Sequence, residues 1–340
     1  MALDPARSAT RLAVRRALSI LRADDGQWWA PELNGVLVAC SGGADSLALL
    51  AAAVFETRRV DCRVVGVTVD HGLQEDSAAH TSRVVAQMAA LGVDETASIR
   101  VTVDPGPAGI EAGAREARYA ALSQMAAHFE ASHILLGHTL DDQAETVLLG
   151  LTRGSGGRSL QGMRHEFDEG ARFMRPFLSL TRAQTEAACR ADGIEWWNDP
   201  HNEDPRFLRS RVRHSVMPLL ERELGPGITA ALARTGEQLR ADMDVIEPMA
   251  RAAYERARLP DGIDLDEIDD VGEALQTRCI RMACLDAGTV AEELTRDHVL
   301  AVGRLLGTRG RKEVQLPGHV TAYGDPAEGS EILRFRRTKG

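Results

Sequence analysis

The sequence predicts an α/β protein: a parallel, doubly wound sheet followed by a mainly helical C-terminal domain that closes on a short β-hairpin. Three observations carry this. Short β-branched apolar runs alternate with helical stretches roughly every thirty residues in the first half of the chain, the rhythm of βαβ units with right-handed crossovers. Three of those runs end in polar clusters: S-G-G-A-D-S at 41–46, D-H-G at 70–72 and H-T-L-D-D-Q-A-E at 138–145. Beyond residue 226 the patterning is helical until two strand-like segments near the end. Ligands of doubly wound sheets sit at the carboxyl ends of the strands, so the three clusters are expected to converge on one crevice.

Taken in order, residues 1–30 suggest an amphipathic helix, its apolar residues interrupted by Arg11, Arg15 and Arg16, and a loop with Trp28 and Trp29. Residues 36–40 read as a buried strand, 41–44 as a tight turn of small residues, and 45–55 as a helix, because L-A-L-L-A-A-A has high helix propensity. The β-branched run at 63–69 is a second strand and 77–91 a helix. A third strand is expected at 99–103, then a Pro/Gly stretch at 105–109 and a long helix at 110–129. A fourth strand at 134–136 precedes a helix at 141–151. The chain then turns glycine- and arginine-rich at 153–158, passes R-P-F-L at 175–178, a helix at 182–192 and W-W-N-D-P-H-N-E-D at 196–204, and reaches its densest basic patch in R-F-L-R-S-R-V-R-H at 206–214. A domain boundary is placed at 220, giving an N-terminal catalytic domain 1–220 and a helical domain 221–340 that assists substrate binding. In the second domain a Pro/Asp/Gly break at 260–264 interrupts the helices. The terminal strand pair 312–316 and 331–335 brackets the turn-rich P-G-H-V-T-A-Y-G-D-P.

With 340 residues, 44% of them hydrophobic and 26% charged, the chain has enough apolar material for two cores, which excludes fibrous and disordered classes. The N-terminus lacks the continuous apolar core of a signal peptide. The apolar run at 47–55 is nine residues, too short to cross a bilayer, so a cytoplasmic protein without a membrane partner is expected. Cys40, Cys62, Cys189, Cys279 and Cys284 are scattered without a C-x-x-C pair, against a disulfide framework, a zinc site or a cysteine-held cluster. The net charge of −10, taken as a sum, opposes a nucleic-acid partner, yet 241–303 alone holds fifteen acidic and six basic side chains, so one segment sets the overall sign.

Strand, small-residue turn and helix start make an anion site: free N–H groups and the helix dipole face the turn, and Gly42 and Gly43 let backbone approach a phosphate. The expected ligand is a pyrophosphate, although for a bare Gly-Gly pair a simple connecting turn would be the better reading. In the 138–145 cluster, Asp142 and Glu145 are three apart on a predicted helix and Asp141 and Glu145 four apart, so either pairing puts two carboxylates on one face. Such a pair is destabilising unless a cation sits there, which points to Mg²⁺ or an amine substrate; a solvated helix start is the plain alternative.

The loop S-G-G-x-D-S resembles that of the PP-loop ATP pyrophosphatases, whose fold is Rossmann-like, and is neither a Walker P-loop nor a dinucleotide fingerprint. Together with D-H-G-L at 70–73, E-A-G-A-R-E-A-R-Y at 111–119, G-H-T-L-D-D-Q-A-E-T at 137–146, R-G-S-G at 153–156, R-P-F-L at 175–178 and N-x-D-x-x-F-x-R-S-R-V-R at 202–213, it follows the motif order of the tRNA(Ile)-lysidine synthase family in its short form, over residues 36–220.

The resemblance implies a ligase that uses ATP to adenylate the wobble cytidine of an isoleucine tRNA with a CAU anticodon, after which the ε-amine of free L-lysine displaces AMP. The lysidine formed pairs with A, so the tRNA reads AUA. On that reading Ser41, Gly42, Gly43, Ala44, Asp45 and Ser46 bind ATP, and Asp45 and Asp142 are candidate Mg²⁺ ligands. Asp142 and Glu145 recognise lysine, and Asp45, Asp142, Glu145, His138 and Arg115 are the catalytic candidates, with the base for lysine attack left open among Asp142, Glu145 and His138. Arg206, Arg209, Arg211 and Arg213 meet tRNA, with a solvated helix face as the plain alternative. Trp196 and Trp197 are read as core rather than base-stacking platforms. A tRNA sulfurtransferase and a non-catalytic nucleotide-binding module are the competing readings, and a homodimer is left open.

Overall fold

A computed structural model describes residues 4–22, 27–30, 33–70, 72, 77–102, 110–153, 156–198, 204–291, 293–305, 312–325 and 332–338. These form two compact units, one of residues 1–149 and 162–234, the other of 150–161 and 235–340.

The first unit begins with α1 (Pro5–Ala17), whose N-terminus is capped by the Asp4 carboxylate accepting from the N–H groups of Ala6 and Arg7. Trp28 and Trp29, expected in a loop, form strand β2 (Trp28–Trp29) paired with β1 (Leu21–Arg22). The main sheet follows: β3 (Gly35–Ala39), α2 (Ala44–Thr57), β4 (Arg63–Asp70), α3 (Ser77–Ala90), β5 (Glu95–Arg100), α4 (Ile110–His128), β6 (His133–Leu135), α5 (Leu140–Arg153), the single turn α6 (Gly157–Leu160), β7 (Glu166–Asp168), β8 (Arg172–Met174) and α7 (Arg182–Asp192). Strand order is β5-β4-β3-β6-β8-β7, parallel except for the β7–β8 edge hairpin.

The apolar run of β3 is buried on both faces because alternate residues serve two cores. Val36 and Val38 pack with α1, α2 and α7, while Leu37 joins Val65, Val67, Ile134 and Phe173 beneath Tyr119, Leu122 and Ala126 of α4. The third strand lies at Glu95–Arg100, not at 99–103; Val103 is outside the described residues. Its register, Val65 opposite Glu95 through Asp70 opposite Arg100, explains the shift. Here β5 is an edge whose outer face stays polar, so only Ala97 and Ile99 pack inward, and a search for continuous β-branched residues passes over it.

Three helical pieces run on from residue 208 as one rod: α8 (Leu208–Arg211), a π-turn at Val212–Val216, and α9 (Met217–Glu223). The long α10 (Ile228–Ala257) then runs into the second unit.

In the second unit, α11 (Glu273–Asp286) and α12 (Arg296–Gly303) pack on an antiparallel sheet of β9 (Arg258–Leu259), β10 (Gly262–Asp264), β11 (Glu313–Leu316), β12 (Val320–Asp325) and β13 (Ile332–Arg337), in the order β11-β12-β13-β10-β9. The two segments expected to pair as a terminal hairpin, β11 and β13, are not neighbours: β12 lies between them in a five-stranded sheet with β11 at one edge. The supposed turn, V-T-A-Y-G-D, is the strand β12, whose Val320 and Ala322 are fully buried. The supposed break at 260–264 supplies β10, where a Cβ on Gly262 would stand 2.0 Å from the Leu333 carbonyl oxygen, so glycine is what lets the two strands pair.

Candidate active site

The loop after β3 is built to present N–H groups. Gly42 has φ +82°, and a Cβ there would lie 2.7 Å from Val84 Cγ2 and 3.2 Å from the His80 ring, so only glycine fits. The carbonyls of the loop are held from outside it: the Trp197 N–H donates to Gly42 O at 3.0 Å, and His80 Nε2 lies 3.1 Å from Ser41 O. Ser46 Oγ donates to Gly43 O at 2.9 Å and accepts from Ser41 N–H at 3.2 Å, closing the turn onto α2. Trp196 packs against the first core, whereas the Trp197 ring lies tilted at 39° against His80, centroids 4.0 Å apart, beside the loop.

This loop opens on a cavity of about 510 Å³ at the carboxyl ends of the parallel strands, lined among others by Ser41, Asp45, Asp70, His80, Arg118 and His138. Residues from all three polar clusters therefore meet in one crevice. His71 lies outside the described residues.

Asp142 and Glu145 stand beside the cavity rather than in its wall, at the start of α5, 7% and 1% exposed. Asp142 Oδ2 accepts from the N–H and hydroxyl of Thr139 at 2.8 and 3.0 Å. Its Oδ1 accepts from Arg213 Nη2 (2.8 Å), Arg182 Nη2 (3.2 Å) and Arg209 Nη2 (3.4 Å). Glu145 accepts from Arg213 Nε (2.7 Å) and Nη2 (2.8 Å) and from Arg209 Nε (3.0 Å). The cation that two adjacent carboxylates require is thus supplied by the chain itself. Burial alone would raise the Asp142 carboxyl, but Arg182, Arg209 and Arg213 outweigh it and hold it at about 2. Burial works against the charge on Arg213, and the bonds to Glu145 overrule it.

Arg182, in the first turn of α7, links this pair to the cavity. Its Nε is 3.6 Å from Asp45 Oδ2, and its backbone N–H is held by Asp141 Oδ2 at 2.8 Å. Among the described residues Asp45 otherwise accepts from the Thr185 hydroxyl, and burial pushes its carboxyl up to about 6 against Thr185 and Arg182. The donor set fits Mg²⁺ at Asp45, which keeps lone pairs on the cavity side, in the manner of a cation held by one carboxylate and substrate phosphates. Asp142 has both oxygens engaged and offers a cation nothing unless the arginines let go.

The remaining expected residues are placed as follows. Arg115 is exposed, its guanidinium 5.0 Å from the Tyr119 ring, while Arg118, one turn on, lines the cavity with a buried Nε that has no hydrogen-bond partner among the described residues. Burial lowers the pKa of Arg118, the mark of a guanidinium in want of an anion. Arg206 is exposed and paired with Asp204 at 2.7 Å; Arg211 is exposed and donates to the carbonyls of Pro205 and Arg206. Arg209 and Arg213, expected at tRNA, instead face the carboxylate pair. Sequence reasoning missed Arg118, Arg182, Thr185 and Arg175. The signal for Arg182 and Thr185 lay in the capping box Thr181–Gln184, which fixes the face of α7 they occupy.

The described helices include none long and apolar enough to cross a membrane. A PP-loop domain family, ATP_bind_3, matches residues 14–220. The tRNA(Ile)-lysidine synthase of Thermobifida fusca is 48% identical over 316 residues, covering 92% of this chain and 94% of that protein. That of Streptomyces coelicolor is 43% identical over 341 residues, covering 95% and 97%. In fold, the chain is similar to the U34-tRNA thiolase NcsA of Methanococcus maripaludis, with a TM-score of 0.53 at 17% identity over 69% of this chain and 79% of that one. A glycine turn at a helix start, a strand-end cavity and a long match to curated relatives agree, and the chain belongs to the tRNA(Ile)-lysidine synthase family of PP-loop proteins.

Proposed function

We propose that the chain is a cytoplasmic ligase that adenylates the wobble cytidine of a CAU-anticodon tRNA(Ile) with ATP and then joins free L-lysine to it, releasing pyrophosphate and AMP. The observation that carries this is the pairing of two sites through Arg182: a pyrophosphate-type loop in a cavity of about 510 Å³, and a buried carboxylate pair whose charge is matched by cations.

The loop residues 41–46 hold the β- and γ-phosphates by their N–H groups at the start of α2. Arg118, which lines the same cavity, meets the phosphate charge. When bound at Asp45, Mg²⁺ supplies neutralisation of the leaving pyrophosphate. The wobble cytidine attacks the α-phosphorus, the bond to pyrophosphate breaks, and AMP is left on the base. In the second step the lysine ε-amine, after giving up a proton, bonds to the base as AMP leaves. Asp142 and Glu145 bind the lysine ammonium by exchange for a guanidinium, one cation replacing another, so neither carboxylate is left bare. Arg206 and Arg211, exposed outside that cluster, contact tRNA phosphates.

Thiol chemistry is the poorer reading. All five cysteines are free and buried, and burial pushes the thiols of Cys62 and Cys279 up to about 11 and of Cys189 and Cys284 up to about 12, far from a reactive thiolate. The test is pyrophosphate release from labelled ATP with the tRNA present and lysine withheld. One pyrophosphate per tRNA is expected, with AMP retained on the tRNA until lysine is added; release without tRNA, or AMP freed before lysine arrives, overturns the two-step order.

A further inference from the structure

The ring of His138 is held by a cation rather than a carboxylate. Arg175 Nε points at His138 Nδ1 from 3.3 Å. A guanidinium has only donors and does not lose its proton, so Nδ1 must be the acceptor, and in a neutral imidazole the hydrogen is then on Nε2. Arg175 is itself fixed: 3% exposed, it donates from Nη1 to Arg164 O at 2.7 Å and from Nη2 to the Tyr119 hydroxyl at 3.2 Å, and lies 4.2 Å over the Phe167 ring. The contrast with a hydrolase triad is direct. There a carboxylate accepts from Nδ1–H and leaves Nε2 as the base; here the polarity is reversed.

Other groups around the ring agree. Burial lowers the imidazole pKa well below the usual histidine value; Asp142 on α5 opposes this, while Arg175 directly after β8, Arg118 on α4 and Arg209 on α8 reinforce it. His138 lines the cavity together with Asp45 and Arg118.

We propose that Arg175 is a positioning residue that keeps His138 as a neutral Nε2–H donor toward a phosphoryl oxygen of the bound nucleotide, and that His138 is therefore not the base that deprotonates the attacking amine. This rests on the reading of the cavity as the ATP site. It removes one of the candidates for the base and assigns a function to the arginine of R-P-F-L.

Long-range ¹H–¹⁵N spectra of ¹⁵N-histidine-labelled protein test the tautomer without substrate. The His138 signal, identified by its loss in His138→Asn, is expected with Nδ1 unprotonated and Nε2 protonated, unchanged from pH 6 to pH 8. Arg175→Lys keeps a donor and the same tautomer; Arg175→Met allows both. A ring protonated on Nδ1 in the unaltered protein, or one that titrates in that range, overturns the proposal.

Kinetics supply an arm independent of Arg175 variants that fail to fold. His138→Gln, whose amide N–H reaches the position of Nε2, is expected within about 10-fold of the unaltered adenylation rate, whereas His138→Ala loses about 100-fold, as for a lost oxyanion donor. A glutamine variant as slow as the alanine one, with lysine transfer to pre-adenylated tRNA equally slowed, identifies a base and refutes the donor. The expected tautomer in a protein that forms no AMP would sink the ATP reading alone, since the spectra need no nucleotide.

Discussion

Asp45 and Asp142 are two aspartates within reach of the same arginine, and their surroundings drive them in opposite directions. Asp142 takes five donors and is held at about 2, while Asp45 takes one hydroxyl and a guanidinium at 3.6 Å and rises to about 6. A raised carboxyl favours its neutral form in the fold, so its contribution to stability is complete below about pH 4 and lost as pH rises through 6. Asp45→Asn removes that ionisation. The metal-free variant is expected to be more stable than the unaltered protein at pH 7 by up to about 3 kcal/mol, and so to melt higher, and to melt at the same temperature near pH 4, while AMP formation is abolished. Thermal denaturation at the two pH values checks the sign. Equal melting at pH 7 would mean that the carboxyl is not strained. Arg118→Ala is expected to lower adenylation by about 100-fold because it strips a cation from the phosphate cavity. Arg115→Ala, at an exposed position, is expected to change it by less than about 3-fold.

At the scale of the element, the clamp on the carboxylate pair depends on how two helices begin and bend. The capping box at Thr181 sets the first turn of α7 and with it the aim of Arg182. Thr181→Ala is expected to cost about 1 kcal/mol in urea denaturation and to raise the KM for lysine more than that for ATP, because Arg182 loses its fixed start. The rod at 208–223 carries its π-turn where Pro218, lacking an N–H, cannot pair with the carbonyl four residues back, and the Met217 N–H reaches Val212 O instead. Arg209 and Arg213, four apart, share one face of the rod and reach one carboxylate pair, while Arg211, two residues from each, turns outward.

The carboxylate partners of Arg209 and Arg213 were not legible in R-F-L-R-S-R-V-R, because they lie 64 to 71 residues away in the chain. The loop at 41–46 was legible because its chemistry is local: small residues, a positive φ and a helix start occur within six positions. The strand β12 was hidden for the converse reason, since its turn-forming residues are overruled by burial of Val320 and Ala322 against partners far along the chain.

For the whole molecule, alternating strands and helices predicted the parallel sheet and so the convergence of three clusters at one crevice, which the cavity shows. Charge at this scale misleads if summed. A protein of net charge −10 binds an anion through local fields, with its acidic excess collected in 241–303. Arg211→Ala is expected to weaken tRNA binding and to reduce the slope of log affinity against log salt by about 1, with the adenylation rate at saturating tRNA unchanged. An unchanged slope would remove Arg211 from the phosphate contacts. The account as a whole stands on the chemistry done to the tRNA. The most direct measurement is mass spectrometry of nucleosides from CAU-anticodon tRNA(Ile) after incubation with the protein, ATP and lysine. One lysine on the wobble cytidine is expected for each AMP and pyrophosphate released; a sulfur-bearing nucleoside, or cytidine left unmodified while ATP is consumed, would overturn the assignment of lysidine synthesis.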